Sequence, residues 1–340
     1  MRICQFLLSR GDGGLEKHVR ELSHSLLEAG HDVFIIADPL FIKTLPQSLQ
    51  QHATPISASM SRHNPILWMR LLKILQQLNI DIVHAQASKA SYVLGLLRRF
   101  VNAKTVGTLH NIKHDVSSYN KLDHIITVSK QLSTYVQHQH VSVVYNGIHS
   151  HTVSAINLSE QFNLPSHLPT FCAVGRLVSA KGFLDLLDAI DGLPLNLLII
   201  GEGPERVKLE QRVMSLSNNT MCRLLGHRQN VPELMAGADG ILISSHREGF
   251  SYVFSEALLQ HKPILATDVP VANEVLAQEL IVPIGKAPLF RERLIALLND
   301  RERWLTLMEP AFLLAKNELT IEAMLNGTNA VYDQLKNKNG

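Results

Sequence analysis

At 340 residues the chain exceeds what one hydrophobic core usually organises, so two domains are expected. Its 46% apolar and 18% charged residues exclude a disordered or fibrous chain, and no apolar run is long enough to span a bilayer. A net charge of +2 with few aromatics argues against nucleic acid as partner, although residues 1–150 hold 15 Lys/Arg against 9 Asp/Glu and the remainder 17 against 21. The apolar start Ile3–Leu8 runs into Arg10, Asp12 and Glu16, so it reads as a strand rather than a signal peptide. Cys4, Cys172 and Cys222 each lie in a strand-like run with no paired spacing, as reduced core residues of a cytoplasmic protein would.

In chain order, apolar strands alternate with helix-period segments, the pattern of an α/β protein with parallel sheets. Residues 2–8 form the first strand. A glycine loop and a helix follow, with Leu15, Val19, Leu22, Leu26 and Leu27 on its buried face and Gly30 as its stop. Residues 32–37 are a strand and 40–64 are irregular. Pro65–Leu78 is a helix, Asp81–His84 a strand, Ser88–Phe100 a helix and Lys104–Leu109 a strand. His124–Val128 and Val141–Tyr145 complete the first sheet. Asn146-Gly147 signals a turn, and the polar stretch after it, with two prolines, reads as a linker over 151–168. The second unit, 169–319, opens with strands at Thr170–Val174, 195–201 and Met221–Leu225. It continues through Ile241–Ile243, a helix over Tyr252–Leu259, strands at Ile264–Ala266 and Leu280–Pro283, and helices over 287–316. A last helix runs from about 320 to 336.

Several stretches carry chemistry. Gly11-Asp12-Gly13-Gly14 lies between the first strand and helix, where glycines allow a ligand close to backbone and to helix N–H groups; alone it is equally a tight turn. No Gly-Lys-Ser/Thr follows, so it is not a P-loop. His110 ends a strand and should emerge at a carboxyl-end rim, where α/β sheets bind ligands, or it caps that strand. In GRLVSAKG, Arg176 offers a donor fork and Lys181 a point charge, suited to a diphosphate or to structural salt bridges. Gly201-Glu202-Gly203-Pro204 and Gly226-His227-Arg228 follow the next two strands. Ser129 is foremost a helix N-cap. In EGFSYVFSE, Glu248 sits in a loop and Glu256 about one turn into the next helix, flanking a helix N-terminus that favours anions. Hydroxyls at both ends and phosphate between them would suit this stretch. His138, His140, His149 and His151 lie close in sequence but without metal-ligand spacing, and no Asp-x-Asp occurs.

Together these motifs resemble those of glycosyltransferase family 4, the retaining GT-B enzymes, over nearly the whole chain and most densely in 170–275. The resemblance implies two Rossmann-like, doubly wound domains facing a central cleft. Residues 1–150 would be the acceptor side, with the last helix packing back on it, and 169–319 would bind the nucleotide sugar. It further implies that Arg176 and Lys181 take up leaving-group charge without a metal or other cofactor. Glu248 would accept from sugar hydroxyls, Glu256 from the ribose, and His110 would contact the sugar, often at its 6-hydroxyl. Gly13, Gly14 and the backbone N–H groups of Phe250, Ser251, Tyr252 and Val253 would hold sugar and phosphate, and Arg228, through its main chain, the base. The expected reaction moves a sugar from a nucleoside diphosphate, UDP favoured, to a glycan or lipid-linked acceptor with retained configuration, the departing phosphate deprotonating the acceptor. Such an acceptor suits lipopolysaccharide or other surface-polysaccharide synthesis in the cytoplasm. Arg70, Lys73, Arg98 and Arg99 beside apolar helices add the expectation of peripheral attachment to the inner membrane face, or simply a basic edge on buried helices. A nucleotide-sugar epimerase of the same fold and a non-catalytic partner subunit are the rival readings. Three positions depart from the family pattern: His261 where members often have Gly, the loop DVPVANE without its usual glycines, and His149 where an acid is common.

Overall fold

The computed structural model describes residues 1–11, 13–111, 115–149 and 153–337. Asp12 of the glycine loop and His151 of the histidine group lie outside the described residues. By packing, the chain divides into unit 1, Met1–Gly147 with Glu318–Gly340, and unit 2, Ile148–Asn317.

Unit 1 runs β1 (Arg2–Leu7), α1 (Gly14–Glu28), β2 (Asp32–Ala37), α2 (Pro39–Ile42), α3 (Gln47–Gln50), β3 (Ala53–Pro55), α4 (Pro65–Leu78) and β4 (Ile82–Gln86). It continues through α5 (Ala87–Leu97), β5 (Lys104–Leu109), β6 (His124–Thr127), α6 (Lys130–Ser133) and β7 (Val141–Val143). The stretch 40–64, read as irregular, thus contains two single-turn helices and the edge strand β3. Asp38 accounts for part of this: it caps α2 through Leu40 N–H (3.0 Å) and holds Ala58 N–H (2.7 Å).

Unit 2 runs α7 (Leu158–Gln161), β8 (Thr170–Val174), α8 (Phe183–Ile190), β9 (Leu195–Ile200), α9 (Arg206–Met214), β10 (Thr220–Gly226), α10 (Val231–Gly237) and β11 (Gly240–Ile243). Then come α11 (Tyr252–Leu259), β12 (Ile264–Thr267), α12 (Ala272–Val275), β13 (Ile281–Val282), α13 (Ala287–Asn299) and α14 (Arg301–Glu318). Residues 153–168, expected as a linker, pack instead against this unit. Ile156 N–H donates to Glu233 O at 3.4 Å, and a Cβ on Gly237 would lie 2.2 Å from Ile156 O.

Both sheets are parallel throughout, in the orders β3-β2-β1-β4-β5-β6-β7 and β10-β9-β8-β11-β12-β13. Strands buried on both faces need near-continuous apolar sequence, which β9 (LNLLII) supplies. Its one polar residue, Asn196, donates to Pro165 O and Thr170 Oγ1, each at 3.0 Å. The strand order reverses between β1 and β4 in unit 1 and between β8 and β11 in unit 2. Loops leaving adjacent strands part there, and ligands of such sheets bind in the crevice so formed.

The last helix, α15 (Ile321–Asn337), belongs to unit 1. Met324, Val331, Tyr332 and Leu335 join the core formed by Ile3, Val19, Leu22 and Ile82, each burial contributing about 1.5–3 kcal/mol. No helix of the described residues is long and apolar enough to cross a membrane.

Candidate active site

Unit 2 assembles its loops by backbone bonds between the carboxyl ends of neighbouring strands. After β8, Gly175 N–H donates to Ile200 O (3.0 Å) and Leu177 N–H to Glu202 O (2.9 Å). This approach requires Gly201, whose φ is +145° and whose Cβ would lie 1.9 Å from Gly175 O. A single 3₁₀ turn, Ser179–Lys181, then leads into Gly182, which caps α8 at φ +62° with Ser244 O where a Cβ would sit. The loop after β11 closes on the same turn: His246 N–H donates to Ala180 O (2.9 Å) and Ser244 Oγ to Lys181 O (2.9 Å).

This lacing brings Lys181 Nζ to Glu248 Oε1 at 2.5 Å. Ser245 Oγ donates to the same oxygen (2.7 Å), and Thr267 Oγ1 anchors Ser245 O at 2.6 Å. Glu248 is only 9% exposed, and Oε2 receives no side-chain donor among the described residues. Lys181 and Glu248, assigned separate tasks in the sequence, are therefore one ion pair. Arg176 is exposed and has no acidic partner among the described residues, so its guanidinium is not committed to an ion pair.

Immediately after Glu248, Ser251 caps α11 by accepting Phe254 N–H (3.4 Å). The first turn of a helix has N–H groups with no intrahelical acceptor, and here they belong to the segment opened by Tyr252 and Val253. Phe250 meets the Tyr252 ring edge-on at 5.5 Å, and Glu256 lies half-buried one turn along. Arg228 is exposed, its Nε donating to Leu225 O (3.1 Å) and its guanidinium lying 5.9 Å over Phe162.

In unit 1, Gly13 and Gly14 begin α1, but the Gly13 N–H is already taken by Glu16 Oε2 at 2.9 Å. The other Glu16 oxygen accepts from Ser9 Oγ, so a buried carboxylate closes the loop that was expected to offer Gly13 N–H to a ligand. Glutamate three residues after the N-cap is capping-box spacing, the signal that could have found it. His110 stands half-buried after β5; its Nε2 meets Gln86 Oε1 at 2.8 Å, and its ring lies 4.7 Å from that of His18. His18, 3% exposed, was not singled out in the sequence; burial pushes its pKa down to about 4. Burial, with His18 and His84 nearby, also holds His110 well below the ordinary histidine value. Arg10 and Lys89 were missed as well. Arg10 pairs with Asp38 at 3.0 Å, while Lys89 donates to Ala58 O at 2.5 Å, its pKa lowered by burial and by Arg10. Ser129 is the N-cap expected, accepting Leu132 N–H at 3.1 Å.

Two of the departures from the family pattern fall on left-handed backbone. His261 (φ +54°) ends α11, its N–H reaching Leu258 O and Lys262 N–H reaching Ala257 O, both at 2.9 Å. That is the bond pair of a Schellman motif, where glycine is the usual choice. Val271 (φ +71°) is buried in the DVPVANE loop, a strained conformation for a β-branched residue. The backbone thus keeps a glycine-like course with larger side chains on it.

Two parallel, doubly wound sheets with these loops at their switch points constitute the GT-B fold of one large class of glycosyltransferases. The UDP complex of HepE from Anabaena aligns with TM-score 0.85 at 19% identity, covering 98% of this chain and 100% of that one. Residues 155–309 match the family profile for glycosyl transferases group 1, and residues 12–151 that for glycosyltransferase family 4. The chain belongs to this glycosyltransferase family. It is 25% identical to the N-acetyl-alpha-D-glucosaminyl L-malate synthase of Bacillus anthracis over 83% of this chain and 84% of the relative. It is 23% identical to the lipopolysaccharide core biosynthesis glycosyltransferase LpsE of Rhizobium meliloti, over 78% and 79% respectively.

Proposed function

We propose that this glycosyltransferase moves a hexose-type sugar from UDP to a glycan or lipid-linked acceptor of a surface polysaccharide or lipopolysaccharide, with retention at the anomeric carbon. The carrying observation is the grouping of Arg176, the Lys181–Glu248 pair and the start of α11 at the switch point of unit 2. Arg176, Lys181 and the helix N–H groups would meet the charge that develops as the diphosphate leaves, without a metal. Glu248 Oε2 would accept from sugar hydroxyls and Glu256 from the ribose. The departing phosphate would take the acceptor's proton. The UDP held by HepE and the lipopolysaccharide role named for LpsE support the choice of donor and acceptor. Incubation with UDP-sugars and lipid-linked glycans should release UDP and give a product of unchanged anomeric configuration. A new nucleotide sugar without free UDP would point to an epimerase instead, and no turnover at all to a non-catalytic subunit.

A cytoplasmic enzyme with such an acceptor would work at the inner membrane face. Helix α4 presents Ile66 (55% exposed) and Met69 (62% exposed) beside exposed Arg70 and Lys73, the composition of a surface that rests on anionic lipid. Arg98, by contrast, has its charge met by Asp123 at 2.7 Å. Flotation with vesicles containing phosphatidylglycerol is expected at low salt, and to weaken in Arg70→Glu/Lys73→Glu. Salt-independent partitioning, or none, would sink the membrane reading.

A further inference from the structure

Strands β1, β4 and β5 and the closing helix α15 carry a line of buried polar side chains that the reading above does not use. Gln5, His84, Gln86, Thr108 and Tyr332 are all essentially inaccessible to solvent. With the two amides as they stand, the donors follow one another. His110 Nε2 meets Gln86 Oε1 at 2.8 Å, and a carbonyl oxygen only accepts, so His110 carries its proton on Nε2. Gln86 Nε2 donates to Gln5 Oε1 (2.8 Å), and Gln5 Nε2 donates to Tyr332 OH (3.2 Å). The Tyr332 hydroxyl lies 2.6 Å from His84 Nδ1, and His84 Nε2 lies 2.6 Å from Thr108 Oγ1. A phenol O–H is a stronger donor to an imidazole lone pair than an imidazole N–H is to a phenol oxygen. Tyr332 therefore donates to His84, which in turn donates to Thr108. Each bond has one donor and one acceptor, and both imidazoles are neutral.

The reverse direction would require both amides turned over, and it would place the His110 proton on Nδ1. The two directions hence give His110 opposite faces toward a ligand. Its ring is further confined by the edge contact with His18, and Gln86 precedes Ala87, held at φ +65°. Backbone in that region persists where the surroundings over-determine it.

We propose that Tyr332, on the closing helix, acts through Gln5 and Gln86 as a positioning residue that keeps His110 an Nε2–H imidazole, with its Nδ1 lone pair turned to a hydroxyl of the substrate. This rests on the reading that His110 faces the donor sugar. It goes beyond that reading by assigning the tautomer with which His110 meets a hydroxyl and the distant residue that sets it; a bare Nδ1 lone pair accepts from an O–H, repels phosphate oxygen and cannot donate to a carbonyl.

Nitrogen-15 NMR of the full chain labelled at histidine tests the relay without any substrate. The His110 signals, identified by their loss in His110→Ala, should show a protonated Nε2 and a bare Nδ1. In Tyr332→Phe, which keeps the packed ring, they should move toward the opposite tautomer, as they should in Gln86→Leu. A wild-type His110 protonated on Nδ1, or signals unmoved in a folded Tyr332→Phe, would overturn the relay. In kinetics, Tyr332→Phe should lower kcat/KM for a complete donor sugar about three- to tenfold. The difference should vanish with the 6-deoxy donor. A relay intact by NMR, with both donors turned over alike in His110→Ala and wild type, would overturn the hydroxyl assignment and the sugar-facing role of His110, while the relay stood.

Discussion

Lys181→Ala is expected to slow sugar transfer by one to two orders of magnitude. A charge-assisted contact contributes about 1.5–3 kcal/mol, which at the transition state corresponds to roughly 10- to 150-fold in rate. The substitution acts twice, because Lys181 Nζ also holds Glu248 Oε1 at 2.5 Å. Without it, a carboxylate that is 9% exposed keeps, among the described residues, only Ser245 as a side-chain donor. Breaking a fully buried pair costs about 3–5 kcal/mol, but the Lys181 side chain is 21% exposed, so about 1–3 kcal/mol of stability is expected to go. Glu248→Gln separates the two effects. It keeps an acceptor for Ser245 and removes the charge that needed Lys181, so stability should change little while turnover falls with the loss of the anionic acceptor for sugar hydroxyls. Urea unfolding and UDP release, measured side by side, read both quantities. Wild-type turnover in a folded Lys181→Ala protein would remove Lys181 from the leaving-group machinery.

Unit 1 is expected to lose stability between pH 7.5 and pH 5, well above the range in which carboxylates titrate. His18 has its folded pKa pushed down to about 4 by burial, with Asn146 opposing, against 6.5 unfolded. Between those values the unfolded chain binds a proton that the folded one refuses. The stabilising contribution is thus complete above the unfolded pKa and is lost as pH falls toward the folded one. By linkage His18 alone accounts for about 2 kcal/mol at pH 5. His84 and His110 shift the same way, driven first by burial and then by His18, with His124 acting on His84 as well. Asp38 and Asp123, whose pKa values are lowered, contribute only at more acidic pH, since their stabilisation persists until pH approaches the carboxylate range. Urea midpoints at the two pH values should therefore differ strongly, and His18→Leu should flatten the difference. A midpoint independent of pH over this interval would show that these histidines are solvated and chargeable in the folded protein.

Much of this architecture was legible because it depends on short-range pattern. Helix α11 begins and ends where its sequence indicates, and the strands flanking the switch point of unit 2 are short, largely apolar runs. The loops at those switch points could be picked out because glycine, arginine and lysine at strand ends have few other uses in combination. Partnerships made across long separations were hidden. Lys181 and Glu248 are 67 residues apart and Gln5 and Tyr332 are 327 apart, and neither spacing leaves a periodic trace. Glu16 was hidden for a different reason: a charged residue after a glycine pair looks solvent-facing until its capping geometry is seen. His261 and Val271 read as losses of a family feature. Their left-handed backbone shows that the feature is the chain's course, which those side chains accommodate at a conformational cost.

Calorimetric titration of the whole chain with UDP, GDP and ADP, each with and without EDTA, tests the central claim most directly. Saturable binding of UDP that is insensitive to EDTA and lost in Arg176→Ala is the expected result. Binding by none of the three, or binding of UDP that requires a divalent ion and survives Arg176→Ala, would contradict the donor site assigned to unit 2.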